Sequence, residues 1–365
     1  MTTLHFLIVI VSGLALNLVL TPIIIRVAHR RRWYDAKNSR KIHVEDTPRL
    51  GGVGIFTSLF VGIIVVLLLA AFGLANATTG YSALEALREL LRRYAPLLVG
   101  IVIIHALGLI DDFRDLRAVH KLLIQFVAAI VVVLGPFRIE RILIPFVSIN
   151  IELGLVAYPV TIIWIVAVSN ALNFIDGVDG LAGGTAALAS LFFVLIGFLV
   201  GATIPAAIAL ALFGALMGFL AYNAPRAKVF MGDSGSYVLG FVLSVFPLLV
   251  SGRMGASTDL IPAVTILGVP IVDMTTSVFR RLSRGKHPFS ADREHMHHKL
   301  MDIGFGTWRI LALVYTLNVV LGAAALSWYV MDRNVSLVII LAVWVLLILG
   351  AVLLTRASRK TDTER

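Results

Sequence analysis

The chain has 365 residues, 31 Lys and Arg against 21 Asp and Glu, 59% hydrophobic residues, 14% charged residues and no cysteine. Soluble domains run at about 45–50% apolar and about 25% charged, which excludes an ordinary cytosolic enzyme. Without cysteine there is no disulfide framework, thiolate nucleophile or thiolate-bound metal. A pI near 10 could suggest nucleic acid, but in a chain this apolar Lys and Arg first mark cytoplasmic loops, so nucleic acid is set aside.

Stretches free of charge, each long enough to cross about 30 Å of hydrocarbon, recur from end to end. They fall near residues 4–25, 51–74, 95–110, 121–136, 154–170, 181–201, 203–222, 236–250, 260–279, 308–331 and 334–355. The first has neither a basic n-region nor a small-residue cleavage site, so it reads as a retained span. The expectation is an all-α polytopic membrane protein of about 11 helices, forming one integral membrane domain over 1–365. Residues 137–152 are β-branched and partly alternating, which admits a small extracytoplasmic hairpin.

Basic residues orient the chain. With the N-terminus outside and the C-terminus inside, 24 of the 31 Lys and Arg fall in cytoplasmic connections. That choice puts nearly every dense polar motif on one face, at the cytoplasmic interface. A transporter would put polar residues near the midplane, in paired broken helices of inverted repeats. Clustering at one interface favours an enzyme that joins a water-soluble substrate to a membrane-resident one.

Four constellations carry the chemistry. Asp111-Asp112-Phe-Arg-Asp115 closes the third span, and a continuing helix would gather its carboxylates on one face, as Mg²⁺ binding or a carboxylate base requires. The bland reading is an interfacial charge run paired with Arg114, Arg117 and Lys121. Asn170, Asn173 and Asp176 recur every three residues at the end of the fifth span, before Gly177-Val-Asp179-Gly180, bringing oxygens toward a metal or a ribose and phosphate. Gly232-Asp233-Ser234-Gly235-Ser236 precedes the eighth span: Ser234 or Ser236 can cap it, and Asp233 offers a hard oxygen for Mg²⁺.

The fourth is the His- and Arg-rich cytoplasmic loop 280–307, where Arg280, Arg281, Arg284 and Arg293 accompany His295, His297 and His298. Basic groups and imidazoles on a backbone broken by Gly285 and Pro288 suit a diphosphate; Zn²⁺ is the alternative for the histidines. Asp273 lies inside a ninth span broken by Pro262, Gly268 and Pro270, where an acid is a functional candidate. Arg49 and the glycines after it bring a cation to the start of span two. His5 and His105, lone imidazoles on apolar faces, read as structural.

Taken together, Pro48-Arg-Leu-Gly-Gly, Asp111-Asp112 with Asp115, Asn170-x-x-Asn173-x-x-Asp176-Gly, Met231-Gly-Asp-Ser-Gly-Ser and His295-x-His297-His298 resemble the polyprenyl-phosphate N-acetylhexosamine-1-phosphate transferase family, glycosyltransferase family 4. The resemblance covers most of the chain, and the loop from Pro288 to Lys299 is similar to the N-acetylglucosaminyl branch rather than the muramoyl-pentapeptide branch. Met296 stands where the family often has Ile or Val.

The resemblance implies transfer of a sugar 1-phosphate from a UDP-N-acetylhexosamine, N-acetylglucosamine above all, to undecaprenyl phosphate, giving UMP at the cytoplasmic face of the inner membrane. It implies Mg²⁺, with Mn²⁺ able to substitute, held by Asp233 with Asn173 or Asp111. Asp111 or Asp112 would take a proton or hold the lipid phosphate, with a carboxylate nucleophile as the rival mechanism. Arg293, His295, His297 and His298 would bind the diphosphate, and Asp176 and Asp179 the uridine, ribose or metal network. Asp115 and Asn170 go with the substrate, and Lys121 and Arg49 with phosphate. A homodimer is a family expectation. Rivals of other classes are a transporter or flippase and a CDP-alcohol phosphotransferase, the latter needing one continuous acidic motif that this chain lacks.

Overall fold

The computed structural model describes residues 1–34, 47–76, 82–144, 149–251, 260–285, 287 and 295–363. Helices dominate: α1 (Thr3–Arg31), α2 (Gly51–Asn76), α3 (Ala83–Arg114), α4 (Ala118–Leu134), α5 (Ala157–Phe174), α6 (Leu181–Leu199), α7 (Thr203–Asn223) and α8 (Asp233–Ser251). They are followed by α9 (Leu260–Ile266), α10 (Gly268–Ser283), α11 (Met296–Asp302), α12 (Thr307–Val330) and α13 (Arg333–Thr363). Among the described residues nine helices, namely α1, α2, α3, α5, α6, α7, α8, α12 and α13, are long and apolar enough to cross a membrane. α9 and α10 together make a tenth candidate bent by 79° at Leu267, and α4 is a shorter apolar helix. In hydrocarbon every backbone group must be satisfied within the chain, so apolar sequence of this length folds as helix.

The helices overrun the apolar stretches. α3 begins at Ala83 rather than near 95, because Ser82 and Glu85 form a capping box: Ser82 Oγ accepts from Glu85 N at 3.2 Å, and Glu85 returns a bond to Ser82 N at 2.8 Å. α5 continues to Phe174, which makes Asn170 and Asn173 helical. The expected loop 280–307 is partly helix, since α10 continues through Ser283 and α11 forms from Met296; residues 286 and 288–294 lie outside the described residues.

The expected hairpin is present. β1 (Arg141–Ile144) pairs antiparallel with β2 (Ile149–Glu152), Arg141 opposite Glu152 with their side chains 3.0 Å apart. The core runs through the centre of the bundle. α6, α7 and α8 are its most enclosed members, whereas α1 and α13 keep wide apolar surfaces outward, as lipid-facing helices do. Because lipid tails are as apolar as leucine, association rests on close packing: Gly214 of α7 lies directly against the Ile10 carbonyl of α1.

Candidate active site

The C-terminal ends of α3 and α5 and the N-terminal ends of α4 and α8 meet at one point, and the junction is built on Asp112. Its Oδ1 accepts from Asp233 N at 2.7 Å and its Oδ2 from Ser234 N at 3.1 Å. An α-helix leaves its first N–H groups without internal partners and carries partial positive charge there. A carboxylate from α3 thus caps α8. The cap is neither Ser234 nor Ser236, as the sequence suggested, because the turn at Gly232 aims those N–H groups across to α3 and Ser236 Oγ is taken by Asn173 Nδ2 at 2.9 Å.

Two glycines make room for this. Gly232 has φ 70°, and a side chain there would meet both Asp112 oxygens; one at Gly108 would run into the Asp233 and Ser234 backbone. His105, one turn earlier on α3, bonds the Ser234 carbonyl at 3.1 Å through Nδ1 and stacks on Phe56 with ring centroids 3.9 Å apart, the structural place expected of it. His5 likewise serves α1, its Nδ1 accepting from Thr2 N at 3.1 Å.

Around this cap the other acids gather. Lys121 at the start of α4 pairs with Asp111 and lies 3.5 Å from Asp233. Asn173 Nδ2 donates to Asp233 Oδ1 at 2.9 Å. Asp111 also ends α3, accepting from Leu116 N at 2.7 Å. Asp115 does not share a helical face with Asp111: the chain turns left-handed at Asp115 (φ 46°), since the helix has no further turn to give, and Asp115 is set where its charge acts on Lys121.

Arg49 is brought in by a short backbone exchange. Phe230 N donates to Pro48 O at 2.8 Å, Gly51 N to Phe230 O at 2.9 Å and Gly52 N to Met231 O at 2.8 Å. The α2 start is thereby laced to the segment before α8, and the Arg49 charge bears on both Asp176 and Asp233.

Asp176 lies in the turn between α5 and α6. Burial, reinforced by the negative charge of Asp233, pushes its carboxyl up to about 7. Asp179 is engaged by backbone, its Oδ2 accepting from Ala227 N at 3.0 Å. Asn170 is deeper: it exchanges amide bonds with Gln125 of α4 (Nδ2 to Oε1 2.6 Å, Nε2 to Oδ1 3.5 Å) and donates to Val166 O.

The histidines form a second group beside the acids. The rings of His295 and His297 are parallel with centroids 5.9 Å apart, and those of His297 and His298 lie 4.3 Å apart. A side chain at Gly177 would collide with the His297 ring, which ties this group to the α5–α6 turn. Burial and the neighbouring His298 push the His297 imidazole down to about 3, so it works as a neutral ring. Phe174 links the group to α10, its ring 5.4 Å from both His295 and the Arg281 guanidinium. Arg293 lies outside the described residues.

Sequence reasoning missed two buried amides. Asn223, at the end of α7, accepts from Gly180 N at 3.0 Å and donates to Val229 O at 2.9 Å, joining the turn after α5 to the one before α8. In sequence it reads as an ordinary helix end. Gln125 is a lone amide in an apolar run, a signal that could have singled it out.

Among the described residues no three Asp, Glu or His side chains are arranged to hold a metal ion by themselves, which leaves the zinc reading without support. The oxygen donors do suit a hard cation. Mg²⁺ ordinarily takes one or two carboxylates together with substrate phosphate oxygens and water, and Asp111, Asp233 and the Asn173 side-chain oxygen supply that chemistry.

A multipass helical membrane protein with acids, amides and cations converging where its helices end has the makings of a site for phosphate-bearing substrates. The family model for glycosyl transferase family 4 matches residues 94–251, from within α3 through α8. A Bacillus subtilis protein named "Probable undecaprenyl-phosphate N-acetylglucosaminyl 1-phosphate transferase" is 34% identical over 310 residues, covering 85% of this chain and 81% of that one. A Mycobacterium tuberculosis "Decaprenyl-phosphate N-acetylglucosaminephosphotransferase" is 31% identical over 326 residues, covering 83% and 78%. An Escherichia coli "Undecaprenyl-phosphate alpha-N-acetylglucosaminyl 1-phosphate transferase" is 29% identical over 299 residues, covering 79% and 74%. The chain belongs to glycosyl transferase family 4.

Two predictions follow from the geometry. Gln125 and Lys121 are one turn apart on α4, as Asn170 and Asn173 are nearly so on α5, so the amide pair fixes how Lys121 and Asn173 approach Asp233. Gln125→Leu is expected to cost about 1 kcal/mol of stability but about tenfold or more in turnover, measured on purified protein. The exchanged pair Gln125→Asn with Asn170→Gln should recover part of the turnover. For Asp176, a folded-state carboxyl near 7 against an ordinary value of 3.8 means the folded chain holds this proton more tightly than the unfolded chain. Its contribution to stability therefore falls as pH rises from about 4 to about 7. Melting curves should show wild type losing more stability than Asp176→Asn across that interval; parallel losses would contradict the assignment.

Proposed function

We propose that the protein transfers N-acetylglucosamine 1-phosphate from UDP-N-acetylglucosamine to a polyprenyl phosphate, undecaprenyl phosphate in the first instance, releasing UMP. The observation that carries this reading is the convergence of Asp111, Asp176 and Asp233 with Lys121 and Arg49 at one end of the bundle. The chemistry agrees with the activities for which the relatives are named.

In this reading the chain spans the bacterial inner membrane eleven times: the nine long helices, α4 and the bent α9–α10 pair, N-terminus outside and C-terminus inside. The site then opens to the cytoplasm, where UDP-sugars are, and the prenyl chain lies along α9–α10. A homodimer is part of the proposal by family likeness alone.

Joining two anionic phosphates requires positive charge on both. Lys121 and Arg49 attract the phosphates, while His295, His297 and His298 address the diphosphate from the other side, and Arg293 joins in binding it by family likeness. Asp111 takes the proton of the lipid phosphate, and the freed oxygen attacks the β-phosphorus of the donor. The bond from the β-phosphorus to the bridging oxygen breaks, and that oxygen leaves on UMP. Asp112 keeps Asp233 and Asp111 in place, Asp176 and Asp179 serve the uridine and ribose end with Asp115 at the rim, and Asn170 supports the substrate from beneath through its bonds to Gln125. Mg²⁺, or Mn²⁺ in its place, would be held by Asp233 with Asn173 or Asp111, and would supply charge neutralisation on the diphosphate and the departing UMP.

The test is UMP release by purified protein in detergent with undecaprenyl phosphate and Mg²⁺, comparing UDP-N-acetylglucosamine, UDP-N-acetylgalactosamine and UDP-muramoyl-pentapeptide. Release is expected with UDP-N-acetylglucosamine only when lipid is present, abolished by chelator and lowered at least about a hundredfold by Asp233→Asn. Release from a different donor alone would change the sugar. No release from any donor by folded protein would overturn the reading.

A further inference from the structure

Asp273 has no place in the mechanism above, yet it is among the most enclosed carboxylates of the described residues, 4% exposed on the inner half of the bent pair. Both its oxygens are used. Oδ1 accepts from the Met296 backbone N–H at 2.7 Å, and Oδ2 lies 2.9 Å from His295 Nδ1. The first bond caps the first turn of α11, the helix that carries His297 and His298. The second holds the residue at its N-cap, His295.

The ring is held by contacts from three elements. Ser277 Oγ is 3.3 Å from the same Nδ1 and itself accepts from Arg280 Nη2 at 3.2 Å. Phe174 packs at 5.4 Å and His297 lies parallel at 5.9 Å. Among the described residues Nε2 makes no hydrogen bond. Among the described residues the charged and titratable groups facing the ring are Asp273 and Arg280 from α10, and His297 from α11.

We propose that Asp273 is a positioning residue that keeps a proton on His295 Nδ1, so that Nε2 is the nitrogen presented to the sugar nucleotide. A carboxylate can only accept, which puts the hydrogen on Nδ1 whether the ring is neutral or charged. Nε2 then accepts from a hydroxyl or amide N–H of the donor when the ring is neutral, and donates to a phosphate oxygen when it is charged. This deepens the transferase reading and rests on it for its consequence in turnover, but the tautomer is a property of the chain alone.

Asp273→Asn tests it with almost no change of shape. Met296 N–H needs an acceptor, so the amide oxygen must stay with it and the amide NH₂ must turn to His295. A donor facing Nδ1 drives the neutral ring's proton to Nε2, removing the accepting state from the site. The experiment is nitrogen NMR of histidine-labelled protein in detergent, with His295→Gln to identify the signal, alongside UMP release. Wild type is expected to carry the proton on Nδ1 and Asp273→Asn on Nε2. The variant should melt as wild type does and lose about 10- to 100-fold in turnover, with a smaller change in KM. Asp273→Glu, which restores a carboxylate, should recover part of the turnover that Asn loses.

A bare Nδ1 in wild type would overturn the proposal, whether or not any variant folds. So would an Asn variant with the shifted proton and unchanged turnover. Absence of UMP release from wild type would sink the transferase reading instead, and the NMR result would still decide the role of Asp273.

Discussion

The bond between the Asp112 carboxylate and the first N–H groups of α8 is the constraint on which the site depends. A carboxylate beside a helix N-terminus satisfies donors that would otherwise be orphaned where water is scarce, and it does so with charge of the favourable sign. The geometry permits no slack, because Gly108 and Gly232 have no room for a side chain. Once α3 and α8 are joined there, Asp111 and Asp233, each adjacent in sequence to a partner in this bond, are necessarily near each other. Two acids brought so close need a cation, and Lys121 from α4 supplies it.

The same logic extends outward through amides rather than charges. Asn173 binds Asp233 and Ser236, Asn170 binds Gln125, and Asn223 spans Gly180 and Val229. In a low-dielectric setting a satisfied amide holds two helices in register without the desolvation cost of an ion pair. Charge is reserved for the point where the helices end, and there it is left incompletely neutralised: burial, reinforced by the nearby Asp233, pushes the Asp176 carboxyl up to about 7. Such a surplus of carboxylate oxygen invites a cation and phosphate-bearing substrates, and perturbed groups of this kind mark functional sites.

Much of this was legible in the sequence because membrane residence is written in composition. Every apolar stretch corresponds to a described helix, including the broken pair foretold by Pro262, Gly268 and Pro270 and the hairpin foretold by the β-branched run. The motifs around Asp111, Asn173 and Asp233 do converge. What sequence could not give was the partner of each group. Asp115 reads as part of an i, i+4 pair, but the helix ends at Arg114 and the pair never forms. Ser234 and Ser236 read as caps, while the true cap comes from a residue 121 positions away. Spacing describes a helix face, not which other helix will reach it.

If Asp112 serves the architecture and Asp111 the chemistry, two adjacent carboxylates should fail in different ways when neutralised. The most direct measurement is thermal stability and turnover of Asp111→Asn and Asp112→Asn side by side. The account predicts that Asp112→Asn loses stability together with activity, because one of the two α8 N–H groups then faces an amide NH₂. Asp111→Asn should lose less stability than Asp112→Asn while losing turnover, since its amide oxygen can keep the Leu116 N–H and Lys121 still has Asp233 as a partner. A destabilised Asp111→Asn beside an Asp112→Asn of wild-type stability would contradict it.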